Sequence, residues 1–223
     1  AALAQARTHE DIEAWASQLE PSILPSGAAE FFAAFLGRYG YSGRATGSEA
    51  EDPSSDGSAL FVIGSKSDTS HAFCRECNEH GVPVIRMPRE LFGEDVKAQP
   101  WIQRWAASVL KVLQSAPHVV LAIDRPSQRL PGPPQRLSGY LTTVAQRVLT
   151  AHTVDTVFVE GGTTATQLIT QFGWERLQVH RELAPGVITL QPLSEEGPLL
   201  TMKPGSYAWP AEVVPWRPRY HRT

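Results

Sequence analysis

Cysteine is scarce in this sequence, and charges of opposite sign nearly cancel. The 223 residues include two cysteines, Cys74 and Cys77, and no second Cys or His pair stands at a metal-binding spacing. We therefore expect structural or incidental thiols rather than a zinc or redox centre, and assign no metal-binding residue. The formal net charge is -3 with scattered Lys and Arg, which argues against a nucleic-acid-binding stripe and a polybasic membrane anchor.

Long apolar runs and a signal peptide are also absent. No stretch is long enough to cross a bilayer, so no membrane partner is expected and the cytoplasm is the expected location. The chain begins with Ala1 rather than Met, inside what reads as an ongoing fold. We therefore expect a piece of a longer protein.

Three well-known site motifs are missing as well. The chain has no Walker A loop, no Rossmann Gly-x-Gly-x-x-Gly and no Gly-x-Ser-x-Gly nucleophile elbow. An α/β hydrolase therefore lacks support, and any nucleotide site must be built in another way.

The chain reads as four segments. Residues 1–37 predict two helices, the first with Thr8 as its N-cap. Residues 38–58 are rich in Gly, Ser, Asp and Glu and predict a flexible linker or loop. Residues 59–208 alternate strand and helix patterns, and residues 209–223 form a C-terminal tail.

The alternation in residues 59–208 decides the expected fold class. Apolar strands such as Ala59–Ile63 and Val119–Ile123 are separated by helix patterns, and most connections are too long for hairpins. Two short strands, Leu177–Val179 and Gly186–Leu190, are expected further on. We predict an α/β domain with a largely parallel or mixed sheet and helices on both faces, a three-layer α/β/α arrangement.

Three glycine turns each follow an apolar strand: Gly64–Ser67, Gly161–Thr164 and Lys203–Ser206. If the sheet is parallel, these turns lie at one edge and can converge. Glycine lets backbone approach a ligand, Ser and Thr hydroxyls donate to phosphate oxygens, and Lys66 or Lys203 can neutralise charge. The second turn also opens a helix, whose positive dipole end favours anions. The alternative for each turn alone is an ordinary loop with a helix N-cap.

Together the turns predict a phosphate or nucleotide site. Two carboxylates stand near it. Asp124 is a candidate base, metal ligand or loop cap, and Glu160 is expected to hold its turn through backbone N–H bonds, with a metal as the alternative. The candidate binding residues are Ser65, Ser67, Gly161, Gly162, Thr163, Thr164, Lys203 and Gly205.

Four motifs in order resemble the C-terminal nucleotide-binding domain of the four-carbon acid sugar kinases (domain of unknown function 1537). The resemblance covers residues 59–208. The motifs are Val62–Ser67, Val159–Ala165, Pro185–Val187 and Met202–Tyr207. In addition, Leu24–Phe32 is similar to the end of that family's N-terminal substrate domain, so the resemblance makes residues 1–37 a helical remnant of it.

The resemblance implies an ATP-dependent kinase that phosphorylates a four-carbon sugar acid of the threonate, erythronate or oxo-tetronate type, with Mg²⁺ as cofactor. It implies that Ser65, the run Gly161–Thr164 and Gly205 contact ATP. Catalytic residues stay unassigned, because the base is expected in the missing substrate domain. Two positions depart from the family pattern: Thr163 replaces a frequent acidic residue, and Gly205–Ala208 reads Gly-Ser-Tyr-Ala in place of Gly-Asn-Phe-Gly.

The alternative function is a non-catalytic nucleotide or phosphometabolite-binding module. In either case no nucleic-acid partner is expected, and a homodimer is an open alternative to the monomer. The chain alone is expected to bind nucleotide without necessarily turning substrate over.

Overall fold

A computed structural model of the chain describes residues 3–41, 57–93, 96–123, 134–193 and 197–216. Its contacts divide the chain into two compact units, Ala1–Gly47 and Ser48–Thr223. Most of the predicted linker, Asp124 and the end of the predicted tail lie outside the described residues. No helix in the described ranges has the length and apolar character needed to cross a membrane.

The smaller unit contains two helices, α1 (His9–Ser17) and α2 (Ala29–Arg38). Thr8 is the N-cap of α1, as predicted. Its side chain accepts the backbone N–H of Asp11 at 3.2 Å, and the Asp11 carboxylate accepts the backbone N–H of Thr8 at 3.0 Å. This reciprocal capping box satisfies two N–H groups at the start of the helix. Arg38 donates to two carbonyl oxygens near the end of α1, so its side chain ties the two helices together.

The larger unit contains four α-helices and seven strands in its described ranges. The helices are α3 (Asp68–Glu79), α4 (Ala98–Leu113), α5 (Pro134–Ala151) and α6 (Gly162–Phe172). The strands are β1 (Ala59–Ile63), β2 (Val84–Arg86), β3 (His118–Ala122), β4 (Thr156–Glu160), β5 (Leu177–Ala184), β6 (Val187–Pro192) and β7 (Leu199–Lys203). Two short 3₁₀ helices span Arg89–Phe92 and Ala211–Val213.

The strands form one sheet in the order β2-β3-β1-β4-β7-β6-β5. Neighbours from β2 to β7 are parallel, whereas β6 is antiparallel to both β7 and β5. The prediction of a largely parallel or mixed sheet is therefore confirmed. β5 and β6 form a hairpin that turns at Gly186, whose φ of 76° suits glycine.

Two apolar layers cover the sheet. Leu60 and Val62 of β1 pack in a cluster with α4, α5 and α6, whereas Phe61 and Ile63 pack with α3 and residues 209–214. Every residue of β1 and β4 is buried, as expected for central strands of a parallel sheet that is covered on both faces. The prediction of a three-layer α/β/α fold is confirmed.

The register of three neighbouring strands, β1, β4 and β7, makes them end side by side, so the glycine turns begin at the same height in the sheet. Ile63 of β1 lies opposite Glu160 of β4, and Glu160 lies opposite Lys203 of β7. All three are the last residues of parallel strands. The turns that follow therefore start side by side at the carboxyl edge of the sheet.

Candidate functional site

The three glycine turns converge at this edge. A Cβ atom added to Gly64 would overlap the hydroxyl of Thr164, and one added to Gly205 would lie 2.8 Å from Ser65 Oγ. Glycine at these two positions therefore allows the turn after β1 to touch the turns after β4 and β7. The structure brings the turns together, as a parallel sheet predicts.

The start of α6 has the properties of an anion site. Gly161 is its N-cap, with a φ of 96°, and no side chain caps this end within the described residues. The N–H groups of Gly162, Thr163 and Thr164 belong to the first turn, where a helix provides no carbonyl partner. Gly162 and Thr163 are exposed, and no acidic residue lies in this turn. The donors and the positive end of the helix dipole therefore favour an anion here.

The start of α3, at the same edge, is satisfied by protein groups. Ser67 is its N-cap, and the Ser67 hydroxyl accepts the backbone N–H of Ser70 at 3.1 Å. Asp68 places a carboxylate in the first turn. These groups supply the negative charge and the acceptor that an anion would bring. Of these two helix starts, α6 is the one open to a ligand.

The hydroxyl groups of Ser65 and Ser67 bind protein. Both donate to the carbonyl oxygen of Gly205, at 3.3 Å and 2.8 Å. Ser65 Oγ also accepts the backbone N–H of Ser67 at 3.1 Å. These bonds join the turn after β1 to the turn after β7.

Lys203 and Glu160 form a buried ion pair at the ends of β7 and β4. Lys203 Nζ lies 2.8 Å from Glu160 Oε2, and both side chains are fully shielded from solvent. Nζ also donates to the carbonyl oxygens of Tyr207 at 2.6 Å and Pro204 at 3.3 Å. Burial lowers the pKa of Lys203, an effect that the hydrogen bond and charge of Glu160 oppose. The ammonium group is therefore surrounded by protein oxygens.

The carboxylate of Glu160 has different partners from those predicted. The prediction that it binds backbone N–H groups of its own turn is wrong. In the described residues its Oε1 accepts the hydroxyl of Ser70 and its Oε2 faces Lys203. The reason is the strand order, which places β7 beside β4 and brings a cation against the carboxylate.

The structure separates the predicted binding residues into two groups. Ser65, Ser67, Gly205 and the run Gly161–Thr164 lie on the converging turns. Lys203 lies in the core, with 2% of its surface exposed. The contacts of all these residues with a ligand stay predictions.

Two residues of this region were missed by the sequence reasoning. Ser70 reads as an ordinary residue in the first turn of α3, and the Ser67-x-x-Ser70 spacing of a helix cap is the one local signal that points to it. Trp209 falls in the predicted tail, yet it is buried and its ring centroid lies 5.0 Å from Lys203 Nζ. Its contact with Lys203 depends on how the chain folds back after β7, which no local sequence pattern predicts.

Comparison with known proteins identifies the family. A model of the nucleotide-binding C-terminal domain family matches residues 60–207, which is more than half of the chain. The chain therefore belongs to this family, and its larger unit is a nucleotide-binding module. A search of curated proteins found no match.

Three solved structures share the fold. A DUF1537 domain from Bordetella bronchiseptica, with bound citrate and in a domain-swapped dimer, is 20% identical, with a TM-score of 0.57 over 90% of this chain. A Salmonella typhimurium LT2 protein, described provisionally as a tRNA synthase, is 15% identical, with a TM-score of 0.63 over 91% of this chain. Haemophilus influenzae protein HI1011, of the DUF1537 family, is 17% identical, with a TM-score of 0.55 over 90% of this chain.

These structures are longer than the present chain. The matches cover 48% of each of them, so the chain spans about half their length. At such identities the likeness establishes the fold alone. With the family match, it confirms the resemblance to the C-terminal nucleotide-binding domain of DUF1537 proteins.

Proposed function

We propose that this chain is the ATP-binding portion of a kinase that phosphorylates a four-carbon sugar acid of the threonate, erythronate or oxo-tetronate type. The observation that carries the proposal is the open start of α6 behind Gly161, where three strand-end turns converge. An anion site of this kind, in a chain of a nucleotide-binding family, suits the phosphates of ATP.

The chain contributes positioning and charge stabilisation to this reaction. ATP supplies the phosphoryl group, which is transferred in line to a substrate hydroxyl. The N–H groups of Gly162, Thr163 and Thr164 hold phosphate oxygens, and Gly161 lets the backbone approach them. Fixed donors aimed at these oxygens stabilise the charge that spreads over them in the transition state.

The turns after β1 and β7 form the other wall of the proposed site. Ser65, Ser67 and Gly205 build it, and the Ser67 hydroxyl exchanges its bond to the Gly205 carbonyl for a bond to phosphate, while Ser65 keeps its bond to that carbonyl. Lys203 takes part through the turn that its buried ammonium holds. Mg²⁺ accompanies the nucleotide. Because Glu160 is committed to protein partners, we assign no protein ligand to the metal.

The sugar acid and the catalytic base belong to a second, N-terminal domain in this proposal. The chain spans about half of the DUF1537 structures that it matches, which supports that division. One of those structures is described as a domain-swapped dimer, and we propose a homodimer for the present protein too. The cytoplasm stays its predicted location.

Calorimetric titration with ATP and Mg²⁺ tests the proposal. The wild-type chain should bind saturably. Gly162→Asp should weaken binding by about tenfold or more, because its carboxylate repels the phosphates. The isosteric Gly162→Asn should bind nearly as well as wild type. A Cβ atom at this position meets nothing within 4 Å, so both variants should fold, and Asp should even stabilise the helix start by ~0.3–1 kcal/mol.

Folded wild-type chain that fails to bind at millimolar ATP would rule out the ATP assignment. Equal losses in the Asp and Asn variants would contradict an anion at α6. If a longer protein that includes the N-terminal domain binds ATP but transfers no phosphoryl group, the non-catalytic nucleotide or phosphometabolite-binding module becomes the better assignment.

A further inference from the structure

A buried ion pair such as Glu160 and Lys203 is weak evidence of a stabilising role. Removing two charges from water costs much of what their attraction returns, and apolar residues of similar volume are often equally stabilising. Here both side chains are fully shielded from solvent. The hydrogen-bond partners of the two charged groups indicate the function of the pair.

Lys203 holds the turn after β7. Its ammonium donates to the carbonyl oxygens of Pro204 and Tyr207, so the turn is wrapped around the charge. The backbone N–H of Tyr207 also donates to Pro204 at 3.1 Å. The ring of Trp209 covers the ammonium at 5.0 Å. The position of Gly205 within this turn therefore depends on the charge of Lys203.

Glu160 connects the same charge to the start of α3. Its Oε1 accepts the hydroxyl of Ser70, and Ser70 Oγ lies 2.7 Å from Ser67 Oγ. Ser67 in turn donates to the carbonyl of Gly205 at 2.8 Å. The contacts thus run from Lys203 to Glu160, then through Ser70 and Ser67 to Gly205, which lies in the turn that Lys203 holds. It forms a closed ring that includes residues from three separate segments of the chain.

The hydroxyl protons in this ring leave Ser67 able to switch partners. The hydroxyls of Ser67 and Ser70 carry two protons but make three contacts: Ser67 with Gly205, Ser70 with Glu160, and the two hydroxyls with each other. When Ser67 turns its proton away from Gly205 towards a ligand at the edge, Ser65 still donates to the carbonyl of Gly205. The ring therefore stays closed while one hydroxyl becomes available at the edge.

The turn after β4 is tied to the same ring. The backbone N–H of Gly161 donates to the carbonyl of Lys203 at 3.0 Å. On its other side Thr164 contacts Gly64 with no room for a Cβ atom. A displacement of the β7 turn or of the β1 turn is therefore transmitted to the start of α6.

We propose that Glu160 and Lys203 are positioning residues that hold the turns after β1, β4 and β7 in the arrangement that opens α6 to its ligand, and that neither touches the ligand. The coupling of the turns stands on the contacts alone. The identity of the ligand rests on the proposed ATP-binding function.

Hydrogen exchange of the unliganded chain tests the coupling without any ligand. Lys203→Met should speed amide exchange about tenfold in residues 204–208, 64–70 and 161–165, since it removes bonds to a charged donor. Thr201→Val is the matched control, because it lies in the same strand and breaks another buried pair, the Thr201 and Thr189 hydroxyls at 2.9 Å. It should leave the three turns close to wild type. If Lys203→Met does not fold, Ser70→Ala removes a single link and should produce the same pattern with a smaller amplitude.

Titration with ATP and Mg²⁺ then separates the inference from the proposed function. The double variant Glu160→Gln/Lys203→Met should bind about tenfold more weakly than wild type, with a melting temperature no lower than that of Thr201→Val. Equal binding by wild type and the double variant overturns the positioning role and leaves the proposed function intact. If the wild type fails to bind ATP, the ATP assignment is overturned. If amide exchange is nevertheless faster in all three turns of Lys203→Met, the coupling of the turns is supported. Unchanged exchange in residues 64–70 and 161–165 overturns the inference whatever the ATP result.

Discussion

At the scale of single residues, the two neighbouring glycines at the start of α6 differ in what they permit. Gly161 has a φ of 96° and a ψ of 128°, a conformation that strains any residue with a side chain. Gly162 is helical and open to a Cβ atom. Gly161→Ala should lower the free energy of unfolding by about 1–3 kcal/mol. Gly162→Ala should leave it unchanged or raise it by up to ~1 kcal/mol. Urea unfolding measures both values, and equal effects would contradict the assignment of Gly161 as the strained N-cap.

The burial of Lys203 predicts a dependence of stability on pH. Its pKa in the folded chain lies below the ordinary value of 10.5, chiefly because burial disfavours the charged form. Between the lowered pKa and 10.5 the unfolded chain binds more protons at this residue than the folded chain, so the contribution of Lys203 to stability rises with pH there. Wild type should therefore gain stability relative to Glu160→Gln/Lys203→Met as pH rises through this window towards 10.5. Denaturant unfolding at a series of pH values measures the difference, and a constant or falling difference would show that the pKa is not lowered.

At the scale of secondary structure, the sequence predicts best the elements that are buried on both faces. β1 is a continuous apolar run, and β4 has one at residues 157–159, because helices or packed loops cover the sheet on each side. β5 is longer than the predicted Leu177–Val179 and continues to Ala184. It is an edge strand with exposed polar residues, so its sequence lacks the apolar run that marks the central strands.

The candidate site also has parts that adjacent residues predict and parts that depend on residues distant in the sequence. The run Gly161–Thr164 forms its turn and helix start from adjacent residues, which is why its pattern is readable. The pairing of Glu160 with Lys203 depends on β7 lying beside β4, and that adjacency is decided by the order of strands in the sheet. No spacing rule in the sequence links Ser70 to either residue.

The contact between the β1 turn and α6 gives a prediction about these two elements. Gly64→Ala should destabilise the chain by about 1–3 kcal/mol, because its methyl group overlaps the Thr164 hydroxyl in a packed interface. Thr164→Ala removes that hydroxyl, so in the double variant the cost of Gly64→Ala should shrink. Unfolding free energies of the wild type, both single variants and the double variant form the cycle that measures this coupling. Additive effects would show that α6 and the β1 turn are not in tight contact.

At the scale of the whole molecule, the chain joins a recognisable nucleotide-binding unit to a short helical one. The alternation of strands and helices was sufficient to predict the three-layer fold, because parallel strands require crossover connections that only a few topologies satisfy. The family match over residues 60–207 lies within the larger unit. The glycine-turn motifs therefore predict the class of ligand, whereas the catalytic base of the proposed phosphoryl transfer stays unassigned.

We accordingly expect this chain to bind nucleotide without turning over a sugar-acid substrate. ATP with Mg²⁺ at 100 times its dissociation constant should raise the free energy of unfolding by ~2.7 kcal/mol, measured by denaturant unfolding, and Gly162→Asp should gain far less. Addition of threonate or erythronate should release no ADP above background, because the sugar-acid site and the base are proposed to lie in a second domain. ADP release that depends on the sugar acid would contradict this division, since it would place a complete active site within these 223 residues.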